Sequence, residues 1–463
     1  MIYLLFDAIA AIIAWTLFYL FRKFYIEPIK YGQYVPLEWD PNYFLAIALL
    51  PIFWVLLFAL SGSYKKVYRK SRARELVKTL IVVFVGSVFL FFTVLIDDHL
   101  PSYQYYPYTF TALFSLQFLT TAILRLSYLT YLKNLVKRKE VGFNTLIVGE
   151  GREAEKLYHE IANQKVPQGY HVIGYTKVNG SADHLEGKIP QLGNIDEVED
   201  IVKDYRVEDV IVAFDKRDEK KLKELIENLE TKNVNIKIVP NMYDFVSGKV
   251  QMDYIFGIPL IEIGSEILPA WQSNLKRVID VGVSLLVLVI GAPFFAILGL
   301  IIKADSSGPV FYTQQRIGLF ERPFKIVKFR TMKKNAEKNG PCLSSDEDPR
   351  ITKVGHFLRK YRLDEFPQFY NVLKGDMSLV GPRPERPYYI NQIMEVAPHY
   401  RHLWKTKPGI TSWGQVKFGY AETVDEMVRR LKYDILYIEN MSLLMDLKIL
   451  FYTVLIVFKG DGK

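Results

Sequence analysis

The sequence predicts a three-part fold: a membrane α-helical N-terminal bundle of four spans, a Rossmann-like α/β module, and a mostly α-helical C-terminal domain with a re-entrant membrane helix. Three observations predict it. Half of the 463 residues are hydrophobic while 24% are charged, and the mean hydropathy is still +0.08. Such values coexist only when apolar residues are segregated into blocks. From Phe143 those blocks give way to short β-rich runs alternating with charged amphipathic stretches. Further on, an apolar block at 279–302 is interrupted by Gly291 and Pro293 and has basic residues on both sides. The expected domains are 1–135, 143–262 and 274–463. The length excludes a single small soluble module. Cys342 is the only cysteine, which excludes an intrachain disulfide and any multi-cysteine metal site and suits a reducing compartment. Chemistry must then come from carboxylates, cations or a bound metal.

The four spans are read from blocks at 2–21, 43–60, 76–96 and 109–132, each close to the roughly 20 apolar residues that cross about 30 Å of hydrocarbon. The first lacks a basic leader and a small-residue cleavage site, so it is expected to be retained. Lys65, Lys66, Arg69, Lys70, Arg72 and Arg74 crowd the second connection, whereas residues 97–108 contain no Lys or Arg. Basic loops stay cytoplasmic, so both ends of the bundle are expected inside, as Lys133, Lys137, Arg138 and Lys139 agree. Asp7 and Arg125 are the ionisable groups within the spans. Each is expected to reach the cytoplasmic interface on its own; an ion pair between helices is the alternative, and a transport role has little support.

The module that follows reads as strand 144–148, helix 153–163, strand 171–175, helix 195–205, strand 210–214, helix 220–232 and strand 234–239. This alternation implies a parallel, doubly wound sheet. Gly149-Glu150-Gly151-Arg152-Glu153-Ala154 after the first strand is a degenerate GxGxxA turn, suited to presenting amides to a phosphate. The acidic residue that a dinucleotide fold wants after its second strand is replaced by Thr176 and Lys177. A structural or dimerising module is the leading reading, ahead of regulatory nucleotide binding and of NAD chemistry.

The block at 279–302 is long enough to cross. Yet Lys276 and Arg277 precede it and Lys303, Arg316, Arg322, Lys325, Lys328 and Arg330 follow it, so both flanks want the cytoplasmic leaflet. The half before Pro293 gives only about 21 Å of helix, short of a crossing. Proline removes a donor and clashes with the preceding turn, making Pro293 the natural break of a helix–break–helix. An ordinary kinked span is the competing reading.

The chemistry is concentrated downstream. FKIVKFRTM at 324–332 alternates the cations Lys325, Lys328 and Arg330 with apolar residues. Arg359 and Arg362 precede LDEFPQFYN at 363–371, followed by KGDMSLVGPRPE at 374–385 and KPGITSWGQV at 407–416. Arg and Lys at this density beside carboxylates suit phosphate and metal. Pro367 fits the first turn of a helix, which places Asp364 and Glu365 at its N-terminus. Adjacent side chains there diverge, so one can face a phosphorus while the other holds a divalent cation. A carboxylate attacking phosphorus splits a hard transfer into two steps through an acyl phosphate. Asp-Glu before proline is also ordinary N-capping, and the surrounding motifs decide between the two.

Those four motifs, in that order, resemble the bacterial sugar transferase family, the monotopic polyprenol-phosphate phosphoglycosyl transferases. The whole chain resembles their large members, which start exopolysaccharide or O-antigen repeat units. The resemblance implies that a UDP-sugar gives up its phospho-sugar to Asp364 with release of UMP, and that undecaprenyl phosphate then accepts it. It implies that Glu365 helps to bind Mg²⁺ and that Lys328, Arg330, Arg359 and Arg383 surround the substrate. It also implies a re-entrant helix broken at Pro293 and a catalytic domain on the cytoplasmic face of a bacterial inner membrane, with membrane lipid as surroundings. Oligomeric state is left open, the α/β module being a reasonable surface for a homodimer, and no nucleic acid is expected as partner. Two residues depart from the usual pattern: Ala292 stands where Ser often precedes the break, and Arg362 where Ser often precedes Leu-Asp-Glu. A membrane scaffold or nucleotide sensor working through the α/β module is the rival. His399 and His402 have helical metal spacing but few carboxylates nearby, and 443–458 suits a membrane-surface or core helix.

Overall fold

A computed structural model describes residues 2–34, 36–95, 105–164, 167–178, 182–213, 219–229, 234–240, 258–263, 267–334, 336, 340, 342, 348–419 and 421–459. They divide into two compact units: the described residues of 1–143, 158–171 and 240–260, and those of 144–157, 172–239 and 261–463.

The first unit is built on α1 (Ile2–Tyr31), α2 (Pro41–Leu60), α3 (Arg72–Val94) and α4 (Tyr105–Lys137), all long and apolar enough to cross a membrane. Their interior is aromatic, with Phe18, Trp54 and Phe58 buried against Val83 and Leu113. Gly86 explains the close fit of α2 on α3, because a Cβ there would lie 2.4 Å from the Trp54 ring. Small residues permit such approaches where no hydrophobic force drives helices together.

The expectation of two solitary intramembrane charges is overturned. Arg125 Nε and Nη2 donate to the two carboxylate oxygens of Asp7 at 2.7 Å, and Nη1 donates to Glu75 Oε1 at 2.9 Å. Tyr64 donates to Asp7, Tyr3 donates to Glu75, and Lys70 pairs with the other Glu75 oxygen at 2.8 Å. The Phe58 ring lies 3.7 Å from the guanidinium carbon. Two acids thus meet two bases with almost no exposure, and only such pairing offsets the desolvation of charges in a low-dielectric interior. Loop residues 97–104 lie outside the described residues.

The α/β module, most of whose residues belong to the second unit, is formed by β1 (Phe143–Val148), α5 (Arg152–Ala162), β2 (Tyr170–Lys177), β3 (Gln191–Asn194), α6 (Val198–Asp204), β4 (Asp209–Val212), α7 (Glu219–Leu229), β5 (Asn235–Ile238) and β6 (Ile261–Ile263). Its sheet order is β3-β2-β1-β4-β5-β6. β4 runs parallel to β1 and β5, β2 parallel to β3, and β6 antiparallel at the edge. Leu146, Val148, Val210, Val212 and Ile236 pack on Val198, Ile201, Leu225 and Leu229. The short edge strands β3 and β6 were not expected, whereas Phe214, residues 230–232 and most of the connector fall outside the described residues. Within the GxGxxA turn Glu150 is buried, its Oε2 accepts the Val178 amide at 2.7 Å, and its carbonyl accepts the His184 amide.

The C-terminal part begins with α8 (Ala270–Asp305), a fifth helix long and apolar enough to cross. It runs through Pro293 uninterrupted where the sequence suggested helix–break–helix, because a proline deletes one hydrogen bond and the bonds on either side persist. Then come β7 (Phe311–Ile317) and β8 (Pro323–Phe329), paired antiparallel, followed by α9 (Lys353–Lys360), α10 (Gln368–Lys374), β9 (Ser378–Val380), α11 (Pro387–Val396), β10 (Gly409–Thr411), α12 (Trp413–Lys417), α13 (Val424–Glu439) and α14 (Leu443–Lys459). Val380, Tyr389, Ile393, Trp404, Leu431, Tyr437 and Ile449 form the core. On α14, Asp446 and Ile449 are buried while Leu444, Leu447, Phe451 and Phe458 are exposed.

Both ends of α8 are tied to this part. Lys276 donates to the Val380 carbonyl and pairs with Asp446 at 2.6 Å, and Asp280 accepts the Leu379 amide at 3.0 Å. Arg277 donates to the carbonyls of Val372 and Leu373 at 2.6 and 2.8 Å, closing the C-terminus of α10. At the far end, Leu298 and Ile302 pack on Phe329 and Leu358. Between the tied ends the surface is apolar and exposed at Leu286, Val289 and Ile290.

The buried ion network makes a prediction. Arg125→Leu strands Asp7 and should destabilise the first unit by about 3–5 kcal/mol, read as a lower melting temperature in detergent. Adding Asp7→Asn should recover part of the loss. Unchanged melting of the single variant would mean that the network does not support the bundle.

Candidate active site

The local sequence explains how the carboxylate pair is presented. Thr352 Oγ1 accepts the Gly355 amide at 3.0 Å and starts α9. Gly355 has to be glycine there, because a Cβ would sit 2.1 Å from the Thr331 carbonyl oxygen. After α9 the backbone of Arg362 turns left-handed, with φ 53°. That conformation is uncommon outside glycine and costs of order 1–3 kcal/mol. It leads into a 3₁₀ turn of Leu363–Glu365, and Pro367 starts α10 as its cap residue. Asp364 and Glu365 therefore precede a helix as expected, but on a tighter turn.

A cavity of about 480 Å³ opens over this turn, and Lys328, Arg330, Arg359, Arg383, Asp364 and Glu365 all line it. Pro293 is not in its wall. Both carboxylates are buried, at 9% and 8% exposure. Lys328 Nζ lies 2.6 Å from Glu365 Oε1, and Arg383 Nη1 approaches the same oxygen at 3.6 Å. Arg359 Nε donates to Thr331 Oγ1 at 3.0 Å. Arg330 has a different geometry: Nη1 donates to the Ser307 carbonyl, and Nη2 to the carbonyls of Ile302 and Ser306. Its guanidinium thus closes the C-terminal end of α8.

The two neighbours are driven to different ionisation behaviour. Burial pushes the Asp364 carboxyl up to about 6, with Glu365 adding repulsion against the opposing pull of Lys328, Arg359 and Arg383. Burial acts on Glu365 as well, but Lys328, Arg383 and Arg362 overcome it and hold that carboxyl far below the usual range. Glu365 is therefore a fixed anion, and Asp364 the more basic partner.

Sequence reasoning missed several supports. Asn371, one turn into α10, takes the Val327 amide on Oδ1 at 3.0 Å and donates through Nδ2 to the Lys325 carbonyl at 2.7 Å. It thereby holds β8, and with it Lys328, against the helix that follows the carboxylates. Glu385 and Arg430 also line the cavity and pair at 2.6 Å, with Arg316 at 3.2 Å on the other Glu385 oxygen. Glu385 is visible in the Pro-Arg-Pro-Glu run, whereas nothing in the local pattern marks Arg430. Among the described residues no group of three or more His, Cys, Asp or Glu could hold a metal by itself. His402 instead pairs with Glu439 at 3.0 Å.

The family model described as Bacterial sugar transferase matches residues 271–460, and one described as CoA-binding domain matches residues 59–240. The chain is 33% identical over 327 residues to the UDP-glucose:undecaprenyl-phosphate glucose-1-phosphate transferase of Escherichia coli (strain K12), a match covering 69% of this chain and 68% of that protein. It is 30% identical over 440 residues to the similarly described transferase of Xanthomonas campestris pv. campestris, covering 92% of this chain and 88% of that protein. The UDP-N-acetylgalactosamine-undecaprenyl-phosphate N-acetylgalactosaminephosphotransferase of Aeromonas hydrophila is 36% identical over 224 residues, covering 48% of this chain and 52% of that protein.

The Asn371 bridge is testable. Asn371→Ala removes both side-chain hydrogen bonds to β8, a loss of about 0.5–1.5 kcal/mol for each bond. The melting temperature should fall by several degrees, and Lys328 should lose its fixed reach to Glu365. A variant that melts like the wild type would show that β8 is held by packing alone.

Proposed function

Because this chain belongs to the bacterial sugar transferase family, we propose that it transfers a sugar-1-phosphate from a UDP-sugar to undecaprenyl phosphate at a bacterial membrane. The observation that carries this reading is the buried pair Asp364–Glu365, one carboxyl raised and the other depressed, facing Lys328, Arg359 and Arg383 across one cavity.

In the proposed reaction an Asp364 oxygen attacks the phosphorus that bears the sugar. The bond from that phosphorus to the oxygen bridging it to the uridine phosphate breaks, and the electron pair leaves with UMP. The result is an acyl phosphate on Asp364. An oxygen of undecaprenyl phosphate then attacks the same phosphorus. The acyl-phosphate bond breaks, the Asp364 carboxylate returns, and undecaprenyl-diphospho-sugar leaves. A carboxyl near 6 is mostly ionised at neutral pH, yet more basic than an ordinary aspartate and so a better nucleophile. Lys328, Arg359 and Arg383 would meet the charge on the equatorial oxygens and the leaving phosphate. We assign Arg330 to holding α8 and Thr331 to orienting Arg359.

The donor set fits Mg²⁺, which prefers one or two carboxylates together with substrate phosphates to an all-protein cage. Glu365, a fixed anion at the cavity wall, would hold it with the diphosphate, and bound Mg²⁺ would neutralise charge on the leaving group. Chemistry of this kind suits the first step of an exopolysaccharide or O-antigen repeat unit.

We further propose that α8 is re-entrant and that the C-terminal domain lies on the cytoplasmic face of the inner membrane. Support comes from polar ties at both ends of the helix to one compact unit, Lys276, Arg277 and Asp280 at one end and Arg330 at the other. A full crossing would put one end of this helix of 36 residues on the far side of the bilayer from that unit.

Two experiments test these readings. Purified protein with Mg²⁺, undecaprenyl phosphate and UDP-glucose, UDP-galactose or UDP-N-acetylgalactosamine should release UMP. Release of UDP would mean simple glycosyl transfer, and no nucleotide from any donor would favour a scaffold. For topology, Asp305→Cys in a Cys342→Ser background should react with an impermeant maleimide only from the cytoplasmic side. Reaction from outside would establish a full crossing.

A further inference from the structure

Arg383 approaches Glu365 from a segment tied on both sides. Upstream, the Gly381 amide donates to the Thr411 carbonyl at 3.1 Å, and the Pro382 carbonyl accepts the Gly409 amide at 3.0 Å. Gly381 packs so closely there that a Cβ would lie 2.2 Å from the Lys407 carbonyl oxygen. Downstream, the Pro384 carbonyl accepts Arg316 Nη1 at 2.9 Å, and the Ile317 amide donates to the Glu385 carbonyl at 3.4 Å. The Glu385 side chain, 5% exposed, takes Arg430 Nη2 on Oε1 at 2.6 Å and Arg316 Nη1 on Oε2 at 3.2 Å. One carboxylate thus joins β7, α13 and the Arg383 segment. None of these contacts involves Asp364 or Glu365.

We propose that Glu385 is a positioning residue for transfer: by bridging Arg316 and Arg430 it fixes the backbone from which Arg383 reaches the Glu365 side of the cavity. The inference rests on the sugar-1-phosphate reading, because that reading gives Arg383 its work. Burial alone would favour a neutral Glu385, yet Arg430 and Arg316 hold its carboxyl low, so the bridge is ionic. Pre-organisation of this kind matters because displacement of a charge-stabilising group by about 1 Å can cost on the order of a hundredfold in rate. A purely structural bridge would stabilise the fold without acting through Arg383.

The test uses full-length protein in detergent with Mg²⁺, undecaprenyl phosphate and UDP-glucose, UDP-galactose or UDP-N-acetylgalactosamine. A wild type inactive on all three donors overturns the transfer reading, and this inference with it. With an active wild type, Glu385→Gln should lower kcat by about tenfold or more while KM changes by less than about threefold. In an Arg383→Met background the same substitution should add almost nothing, since residues acting as a unit are non-additive. Wild-type kcat in Glu385→Gln, or losses that multiply independently in the double variant, would overturn the inference. If Glu385→Gln does not fold, Arg316→Gln, which retains the Arg430–Glu385 pair, enters the same cycle under the same criteria.

Discussion

Lys328 Nζ lies 2.6 Å from Glu365 Oε1 in a buried site, and that contact does most to decide which of two buried carboxyls stays charged. Two adjacent carboxyls out of water repel each other, so both cannot ionise easily. The ammonium, with Arg383 behind it, keeps the charge on Glu365 and leaves Asp364 raised. In the proposed reaction that division sorts their roles: a permanent anion suits a cation and a diphosphate, and a basic carboxylate suits attack on phosphorus. Remote contacts serve the same end. Asn371 holds the strand carrying Lys328, and the Glu385 bridge holds the segment carrying Arg383.

The membrane helix is part of this arrangement. Arg277 closes the C-terminus of α10, the helix that follows the carboxylate pair. Arg330 closes α8 at its other end, next to the strand that bears Lys328. The turn of Asp364 and Glu365 therefore sits between two contacts made by one helix, which suits an enzyme that, on the proposed reading, draws one substrate from water and the other from lipid.

How much of this was legible in the sequence depended on range. Apolar length and loop charge are local, so five blocks suited to membrane were readable, as were the main strands and helices of the α/β module. The carboxylate pair was readable because Pro367 marks a helix start. Its cations were grouped through the resemblance of ordered motifs. Asp7 and Arg125 were each visible, but their partnership spans 118 residues and leaves no periodic trace. The same distance problem hid Arg430 and Asn371, whose neighbours are set by tertiary packing. β3 and β6, at four and three residues, carry too little pattern to be found. Arg330, placed among the substrate cations through that resemblance, lines the cavity and also donates to the carbonyls at the end of α8, a tertiary contact with no local signal.

In the proposed reaction Asp364, and not its neighbour, carries the phospho-sugar. The direct measurement is peptide mapping by tandem mass spectrometry after mixing the enzyme with a turned-over UDP-sugar and Mg²⁺, without lipid acceptor, and quenching in acid. A sugar-phosphate mass is expected on Asp364 and absent from Asp364→Asn. An adduct on Glu365, or one that persists in Asp364→Asn, would contradict it.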